Sequence, residues 1–183
     1  MHFNKYSRSI LTLFIGSIFI ISGILIRKDI ESRYNSVDEY VLKSFPKSLS
    51  FEFITGDHNI DVYSTKRPLL VHFWATWCGP CEAELPEFIK FSNQFPNANF
   101  IIIASRDDLV KVKQFIKRLG PLSENVFHAF DETGSLMKAF GTLRLPETYY
   151  FDSKLDIVKK FVGPQDWSNQ FFLSNFKYLS REL

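Results

Sequence analysis

The stretch "VHFWATWCGPCEAELPEF", residues 71–88, contains both cysteines of the 183-residue chain, Cys78 and Cys81. The apolar run that leads into them, "LLVHFWA" (residues 69–75), has the length and continuity of a strand that is buried on both faces of a sheet. The pattern that follows predicts a helix over about residues 80–95. The cysteine pair is therefore predicted to lie where a buried strand ends and a helix begins.

A lone Cys-x-x-Cys can bind a metal, form a structural disulfide or carry out redox chemistry. A structural zinc site needs four ligands, but this chain has one cysteine pair and no closely spaced histidine pair. Its histidines are His2, His58, His72 and His128. A structural disulfide that closes so short a loop adds little stability, because loop entropy grows with loop length. Redox chemistry fits the pattern best, and the other two readings stay open as alternatives.

The predicted position at the start of a helix favours redox chemistry. The first helical turn presents unpaired N–H groups and a partial positive charge, which favour the thiolate, and the thiolate is the nucleophile. Cys78 lies at the exposed end and is expected to attack, whereas Cys81, one turn further on, can attack the mixed disulfide that results. Gly79 permits a tight turn, and Pro80 suits a position where its missing N–H costs nothing.

The N-terminal region contains a second informative segment. Residues 10–26 carry no charged side chain, are flanked by Lys and Arg on both sides, and are long enough for a membrane-spanning helix. We predict an uncleaved transmembrane anchor at 10–26 after a short flank at 1–9, with a stalk at 27–49 and a globular domain at 50–183. A cleaved signal peptide and a buried soluble helix are the alternatives, although no small-x-small cleavage site follows the run. Flanking charge does not decide the orientation.

The rest of the chain alternates between strand and helix patterns. A β-hairpin is predicted in 51–64, and the final helix in 166–183. Between them, strands are predicted at 99–105, 126–130, 146–152 and 157–163, and helices at 107–119 and 134–141. This order predicts an α/β fold with a mixed central sheet. The net charge of +2 comes without a basic stripe, so nothing indicates nucleic acid binding.

These motifs together resemble a known family. "FWATWCGPC", followed by "AFGTLRLPETYYFD" and "IVKKFVG", is similar to membrane-anchored, extracytoplasmic thiol–disulfide oxidoreductases of the TlpA/ResA/DsbE type. The likeness extends over about residues 50–181 in order. It implies a thioredoxin-like three-layer sandwich with a central mixed sheet, and an enzyme that needs no cofactor beyond the redox-active disulfide of Cys78 and Cys81.

The resemblance also implies roles for individual residues. Cys78 is the attacking thiol and Cys81 the resolving thiol, while Pro146 matches a cis-proline that faces the pair; a trans proline at a strand start is the alternative. Glu84 lies one helical turn after Cys81, where a buried carboxyl can have a raised pKa and exchange a proton with that cysteine; a solvated helix glutamate is the alternative. His72 departs from the pattern, because thioredoxin has a buried aspartate there. It is either an acid–base group or a core residue.

The direction of the reaction is predicted from the dipeptide between the cysteines. Gly79-Pro80 is the dipeptide of strongly reducing thioredoxins, and it lacks the histidine typical of the oxidants of this fold. The protein is therefore expected to reduce partner disulfides. With the predicted anchor at 10–26, the resemblance implies a single-pass protein of the cell (inner) membrane whose catalytic domain is on the extracytoplasmic side. The resemblance implies apocytochrome c, with its Cys-x-x-Cys-His haem-attachment motif, as client. A membrane thiol transporter of the CcdA/DsbD kind is the implied electron donor.

Several alternatives remain at this stage. One alternative is a general extracytoplasmic disulfide reductase with other clients. Another is a copper or metal carrier, although such carriers usually have Cys-x-x-x-Cys and the spacing here is one residue shorter. A thiol peroxidase needs Thr-x-x-Cys, and Thr76 is one residue too close to Cys78. Trp74 and Trp77 are expected either to cover the site or to pack in the core. Glu147, next to Pro146, is a candidate for a group that gates the choice of partner.

Overall fold

The structure is a computed structural model that describes Ser22, residues 44–54 and residues 60–179, without the side chains of 171, 175 and 177–179. The predicted anchor lies outside the described residues, except for Ser22, which is helical. Among the described residues, no helix is both long and apolar enough to cross a membrane.

The chain divides into two compact units, residues 1–40 and 41–183, and the elements of the second unit form the sheet and its helices. The strands are β1 (Glu52–Phe53), β2 (Leu69–Trp74), β3 (Asn99–Ser105), β4 (Val126–Asp131), β5 (Glu147–Phe151) and β6 (Ile157–Val162). The helices are α1 (Gly79–Ser92), α2 (Leu109–Leu119), α3 (Ser135–Phe140) and α4 (Gln170–Leu179).

The six strands form one mixed sheet in the order β1-β4-β3-β2-β5-β6. β2, β3 and β4 are parallel neighbours, whereas β1, β5 and β6 pair antiparallel. Because parallel crossovers are right-handed, two successive crossovers in the same direction place α1 and α2 on the same face of the sheet. The predicted α/β fold with a mixed central sheet is confirmed.

Both faces of the sheet are covered, as the apolar run of β2 predicts. Leu70 and Trp74 pack with residues of α1, α2 and α4 on what we call the first face. Leu69, Val71 and Phe73 pack with α3 and the segment before β1 on the second face. Every residue of β2 is buried, which explains why the strand shows no polar alternation.

The two predicted strands of the hairpin in 51–64 do not pair with each other among the described residues 51–54 and 60–64. β1 contains two residues and pairs antiparallel with β4 instead. Residues 60–64, the predicted second strand, form turns because Asp61 satisfies the neighbouring backbone locally. Its carboxylate accepts from the N–H of Tyr63 at 3.0 Å, and its carbonyl accepts from Ser64 at 3.2 Å. Such local hydrogen bonds compete with strand pairing.

The packed domain also includes residues before 50. Ser44 forms an isolated bridge with Asp156, and Phe45 is buried against the aromatic rings of Phe140 and Phe151 on the second face. Phe45 and the partly buried Leu49, which the sequence pattern assigned to the stalk, therefore contribute to the core.

Candidate active site

The two cysteines lie at the junction that the sequence predicted. β2 ends at Trp74, and Cys78 is the N-cap residue of α1 with an extended backbone. Cys78 and Cys81 are joined by a disulfide, with their Cα atoms 5.2 Å apart. Cys78 is 7% exposed and Cys81 is fully buried, so the outer cysteine is the one within reach of a partner. Its carbonyl accepts the N–H of Glu82 and begins the helix.

Hydrogen bonds to the two residues that follow β3, Arg106 and Asp107, hold the loop before Cys78 in place. The Thr76 hydroxyl donates to Asp107 Oδ1 at 2.8 Å, and the Thr76 N–H donates to the other oxygen of that carboxylate. Trp77 is 63% exposed, and its indole N–H donates to the carbonyl of Arg106 at 2.9 Å. Trp74, in contrast, is a core residue. Sequence reasoning missed Asp107, although an acidic pair directly after a buried strand is a signal for such a loop contact.

The Leu145–Pro146 peptide bond is cis, as the resemblance implied. β5 runs antiparallel to β2 with Phe73 opposite Glu147, so Pro146 lies across from the end of β2. The cysteine loop leaves β2 at that same end. The Pro146 carbonyl accepts from the N–H of Gly163 at 2.9 Å, which ties this turn to the end of β6.

Glu84 is a buried carboxyl one helical turn beyond Cys81. It is 6% exposed, and it accepts hydrogen bonds from the indole N–H of Trp167 and from the backbone of Gln165. Its Oε2 atom is buried and has no hydrogen-bond partner. Burial raises the pKa of Glu84 to about 7, because the loss of hydration outweighs the two hydrogen bonds, which lower it. This carboxyl therefore changes its protonation state near neutral pH.

Sequence reasoning also missed Trp167. It was assigned to the start of the final helix, but α4 begins only at Gln170, and Trp167 lies in the preceding loop with 1% exposure. Its ring packs against Phe88 at 4.9 Å, which brings its N–H to Glu84. The available signal in the sequence was a large apolar side chain, Trp167, within a polar segment that contains Pro164, which favours a loop residue that packs into the core.

His72 lies on the first face of the sheet and is fully buried. Its Nδ1 atom is 2.9 Å from the Thr148 hydroxyl, and its ring stacks on Phe88 with centroids 4.5 Å apart. Burial lowers the pKa of His72 to about 3, so the imidazole is neutral at pH 7. The structure thus places His72 and Glu84 in the same layer, with different charge behaviour.

The expectation for Glu147 is wrong. Its side chain is 2% exposed and pairs with Lys160 at 3.1 Å, and it also accepts the Tyr149 hydroxyl at 3.0 Å. Side chains alternate along a strand, so Glu147 and Tyr149 point to the second face while Thr148 faces His72. Glu147 is therefore a buried ion-pair partner and not a surface group that meets a client.

The described residues contain no group of three or more His, Cys, Asp or Glu side chains arranged to hold a metal ion. His128 is almost fully buried on β4, and burial lowers its pKa to about 4. Neither of its ring nitrogens has a hydrogen-bond partner among the residues that the structure describes.

Comparison with known proteins places this geometry in a family. The Redoxin family profile matches residues 50–176. The chain is 27% identical over 124 residues to sporulation thiol-disulfide oxidoreductase A of Bacillus subtilis, covering 65% of this chain and 73% of that protein. It is 30% identical over 99 residues to thiol-disulfide oxidoreductase ResA of Bacillus thuringiensis, covering 53% of this chain and 56% of the relative.

A solved structure shows the same fold. The crystal structure of StoA from Bacillus subtilis superposes with a TM-score of 0.60 at 24% identity, covering 72% of this chain and 98% of that one. The chain spans about half the length of ResA and a larger part of the sporulation protein. The family profile covers more than half of the chain, and the disulfide at the start of α1 supplies the matching chemistry. The chain therefore belongs to the Redoxin family, as a thiol–disulfide oxidoreductase with a thioredoxin-like α/β fold whose Cys-x-x-Cys is Cys78 and Cys81.

Proposed function

We propose that the Cys78–Cys81 dithiol reduces partner disulfides on the extracytoplasmic side of the cell membrane, held there by a single transmembrane anchor at residues 10–26. The Gly-Pro dipeptide and the absence of a histidine between the cysteines support the reducing direction. The uncharged 10–26 segment supports the location.

The exchange follows from the different exposure of the two cysteines. The Cys78 thiolate, stabilised by the positive end of α1, attacks one sulfur of the client disulfide and releases the other as a thiolate. Cys81 then loses its proton and attacks Cys78, which breaks the mixed disulfide and releases the second client sulfur. Two electrons pass to the client, which ends as a dithiol with two protons, and the protein ends as the Cys78–Cys81 disulfide.

The buried carboxyl of Glu84 is the observation that carries the proposed mechanism. Cys81 is fully buried, so its proton needs an internal acceptor when it attacks the mixed disulfide. Glu84 lies one turn along the same helix, has a pKa of about 7, and keeps Oε2 without a partner. It accepts the Cys81 proton and returns it when the disulfide is reduced again. His72 stays neutral and acts as a packing residue beneath Phe88.

The proposed client is apocytochrome c, whose Cys-x-x-Cys-His motif must be reduced before haem is attached, and the proposed donor is a membrane thiol transporter of the CcdA/DsbD kind. Trapping tests the client. A Cys81→Ala variant keeps Cys78 in mixed disulfides, which mass spectrometry identifies, and the Cys78→Ala/Cys81→Ala double variant is the control. Recovery of a c-type cytochrome supports this client, whereas recovery of only other disulfide proteins supports a general reductase.

Redox equilibration tests the direction. We expect a reduction potential closer to about −270 mV, as in reducing proteins of this fold, than to about −120 mV, as in the strong oxidants. Reduction of insulin disulfides should disappear in Cys78→Ser and in Cys81→Ser. A potential near the oxidant end, or full activity in either serine variant, contradicts the proposal.

A further inference from the structure

A groove of about 640 Å³ lies next to the cysteine loop, lined by Thr76 and Trp77 on that side. The cysteine loop and the first turn of α1 form one wall, and the exposed side of α2 forms the other. The residues that line it include Thr76, Trp77, Glu82, Lys111, Lys117 and Arg118. Trp77, which lines the groove, directly precedes Cys78 in the chain, so the groove adjoins the loop that carries the nucleophile.

The groove is positively charged. Three cations face one carboxylate, and α2 as a whole contains four Lys or Arg residues and no Asp or Glu. The ion pairs among the described residues are Lys90–Glu87 and Lys160–Glu147, so no described carboxylate pairs with the cations of the groove. The Arg118 guanidinium lies 5.0 Å above the Phe115 ring and is thereby held along the helix.

Trp77 adds an apolar contact at the mouth of the groove. Its ring is 63% exposed, yet its N–H is bonded to the Arg106 carbonyl, so the ring is held in one orientation with an open face. An exposed, fixed aromatic ring beside the nucleophile is typical of a contact surface for polypeptide. The combination of that ring and a row of cations has the chemistry of a peptide-binding surface with a charge preference.

We propose that this groove binds acidic side chains of the partner protein, in the extended segment that flanks the partner's disulfide cysteine. Lys111 and Arg118 lie about 10 Å apart along the helix, at about 1.5 Å per residue. An extended chain advances about 3.3 Å per residue, so the groove covers about three partner residues. Asp or Glu within about three residues of the partner cysteine is favoured, and Lys or Arg there is repelled. The inference rests on thiol–disulfide exchange at Cys78 and not on the proposed direction or client.

Peptides that differ only in flanking charge test the inference. Three peptides have the same internal disulfide and three flanking Glu, Ser or Lys residues, and the second-order rate of exchange with the full-length protein is measured after its Cys78–Cys81 disulfide has been reduced to the dithiol. The Glu peptide should react about tenfold faster than the Lys peptide at low salt, because opposite charges raise the rate of productive encounter. The difference between the two rates should shrink in 0.5 M NaCl. At that ionic strength the Debye length falls to about 3–5 Å, so exposed charges further apart than this are screened from each other.

Charge reversal locates the effect. Lys111→Glu/Lys117→Glu should reverse the order of the Glu and Lys peptides and leave the Ser peptide within about twofold. The matched control, Lys66→Glu/Lys138→Glu, changes the net charge equally at exposed residues outside the groove and should keep the wild-type order. Hydroxyethyl disulfide, a small neutral probe, should react equally with all variants, which shows that the cysteines are intact.

Two results overturn the inference: equal rates for the Glu and Lys peptides with the wild-type protein, or a control variant that changes the preference as much as the groove variant does. If the protein acts as an oxidant, the proposed direction fails, but the charge preference is still measured from the oxidation of the same peptides as dithiols by the Cys78–Cys81 disulfide. The two failures are therefore distinguishable.

Discussion

Two buried glutamates on opposite faces of the sheet differ in their neighbours: Glu147 has a cation beside it, and Glu84 has none. Glu147 faces the second face, where the Lys160 ammonium pairs with it at 3.1 Å and the Tyr149 hydroxyl donates to the same oxygen. Glu84 lies among the side chains of the first face, where its hydrogen bonds come from neutral donors and Oε2 has none. Their exposures are similar, 2% and 6%.

The comparison shows that the neighbouring groups, more than the extent of burial, decide what a carboxyl can do. A cation close to a buried carboxylate offsets the loss of hydration and makes the pair structural. Without a cation, burial raises the pKa of Glu84 to about 7 and leaves a group that can exchange a proton at neutral pH. The same argument covers His128, a buried base without a partner among the described residues.

Removing the cation from the paired glutamate should have the largest effect. Lys160→Met leaves the Glu147 charge buried and unpaired, and we expect the free energy of unfolding to fall by about 3 kcal/mol. Chemical denaturation at pH 7 measures it. Lys159→Met, at an exposed position on the same strand, is the control and should change stability little. Glu147→Gln/Lys160→Met should recover most of the loss, and a Lys160→Met protein as stable as wild type contradicts the comparison.

Removing the charge from Glu84, which has no cation beside it, should stabilise the protein at alkaline pH. The native carboxyl keeps its proton up to about pH 7, whereas the unfolded chain loses it near pH 4.5, so the unfolded state binds fewer protons between these values. Stability therefore falls as pH rises through this window, by up to about 3 kcal/mol. Glu84→Gln should lack that fall and be more stable than wild type at pH 8, as measured by denaturation at several pH values.

The same substitution should slow disulfide exchange by about a hundredfold, because Cys81 loses its proton acceptor. It should also remove the change in rate near pH 7. Glu87→Gln, on the same helix but in a surface ion pair with Lys90, is the matched control and should keep the wild-type pH profile. A Glu84→Gln enzyme with an unchanged rate and profile rules out the proton-acceptor role.

His128, which has no hydrogen-bond partner among the described residues, should lower the stability of the protein at acid pH. Native His128 has a pKa of about 4, and the unfolded chain takes up a proton near pH 6.5, so the unfolded state binds more protons between these values. Stability therefore falls as pH decreases through this window, by about 2 kcal/mol at pH 5. His128→Leu should lose correspondingly less stability between pH 7 and pH 5. If the His128→Leu protein loses as much stability between pH 7 and pH 5 as wild type does, the prediction is wrong. His128 would then take up its proton at the same pH in the native protein as in the unfolded chain.

The smallest expected effect concerns the hydrogen bond to Glu84. Trp167→Phe keeps an aromatic ring against Phe88 but removes the N–H donor, which should cost about 1 kcal/mol of stability. Since that hydrogen bond lowers the pKa of Glu84, its loss should raise the pKa further and move the pH dependence of exchange to higher pH. An unmoved pH profile in a folded variant shows that Trp167 has only a packing role.

Local sequence patterns predicted most of the fold and the centre of the site. The apolar β2, the following Gly-Pro and the cysteine spacing placed Cys78 at a helix start, whereas the cis-proline was implied only by the resemblance to the family. The hairpin prediction failed because Asp61 forms turns with its own neighbours, and β1 found a partner on β4, far away in the sequence. Phe45 joined the core through rings that no local pattern specifies.

The sequence by itself determined which residue types stand next to the cysteines and how strands and helices alternate, since both depend on local spacing and on the period of each element. Only the tertiary structure decided which buried glutamate has a cation beside it. Trp167 reaches Glu84 across 83 residues of sequence, and Lys160 reaches Glu147 from the neighbouring strand β6. A pKa depends on distances between side chains in space and on exclusion of water, and neither exists before the sheet and its helices have packed.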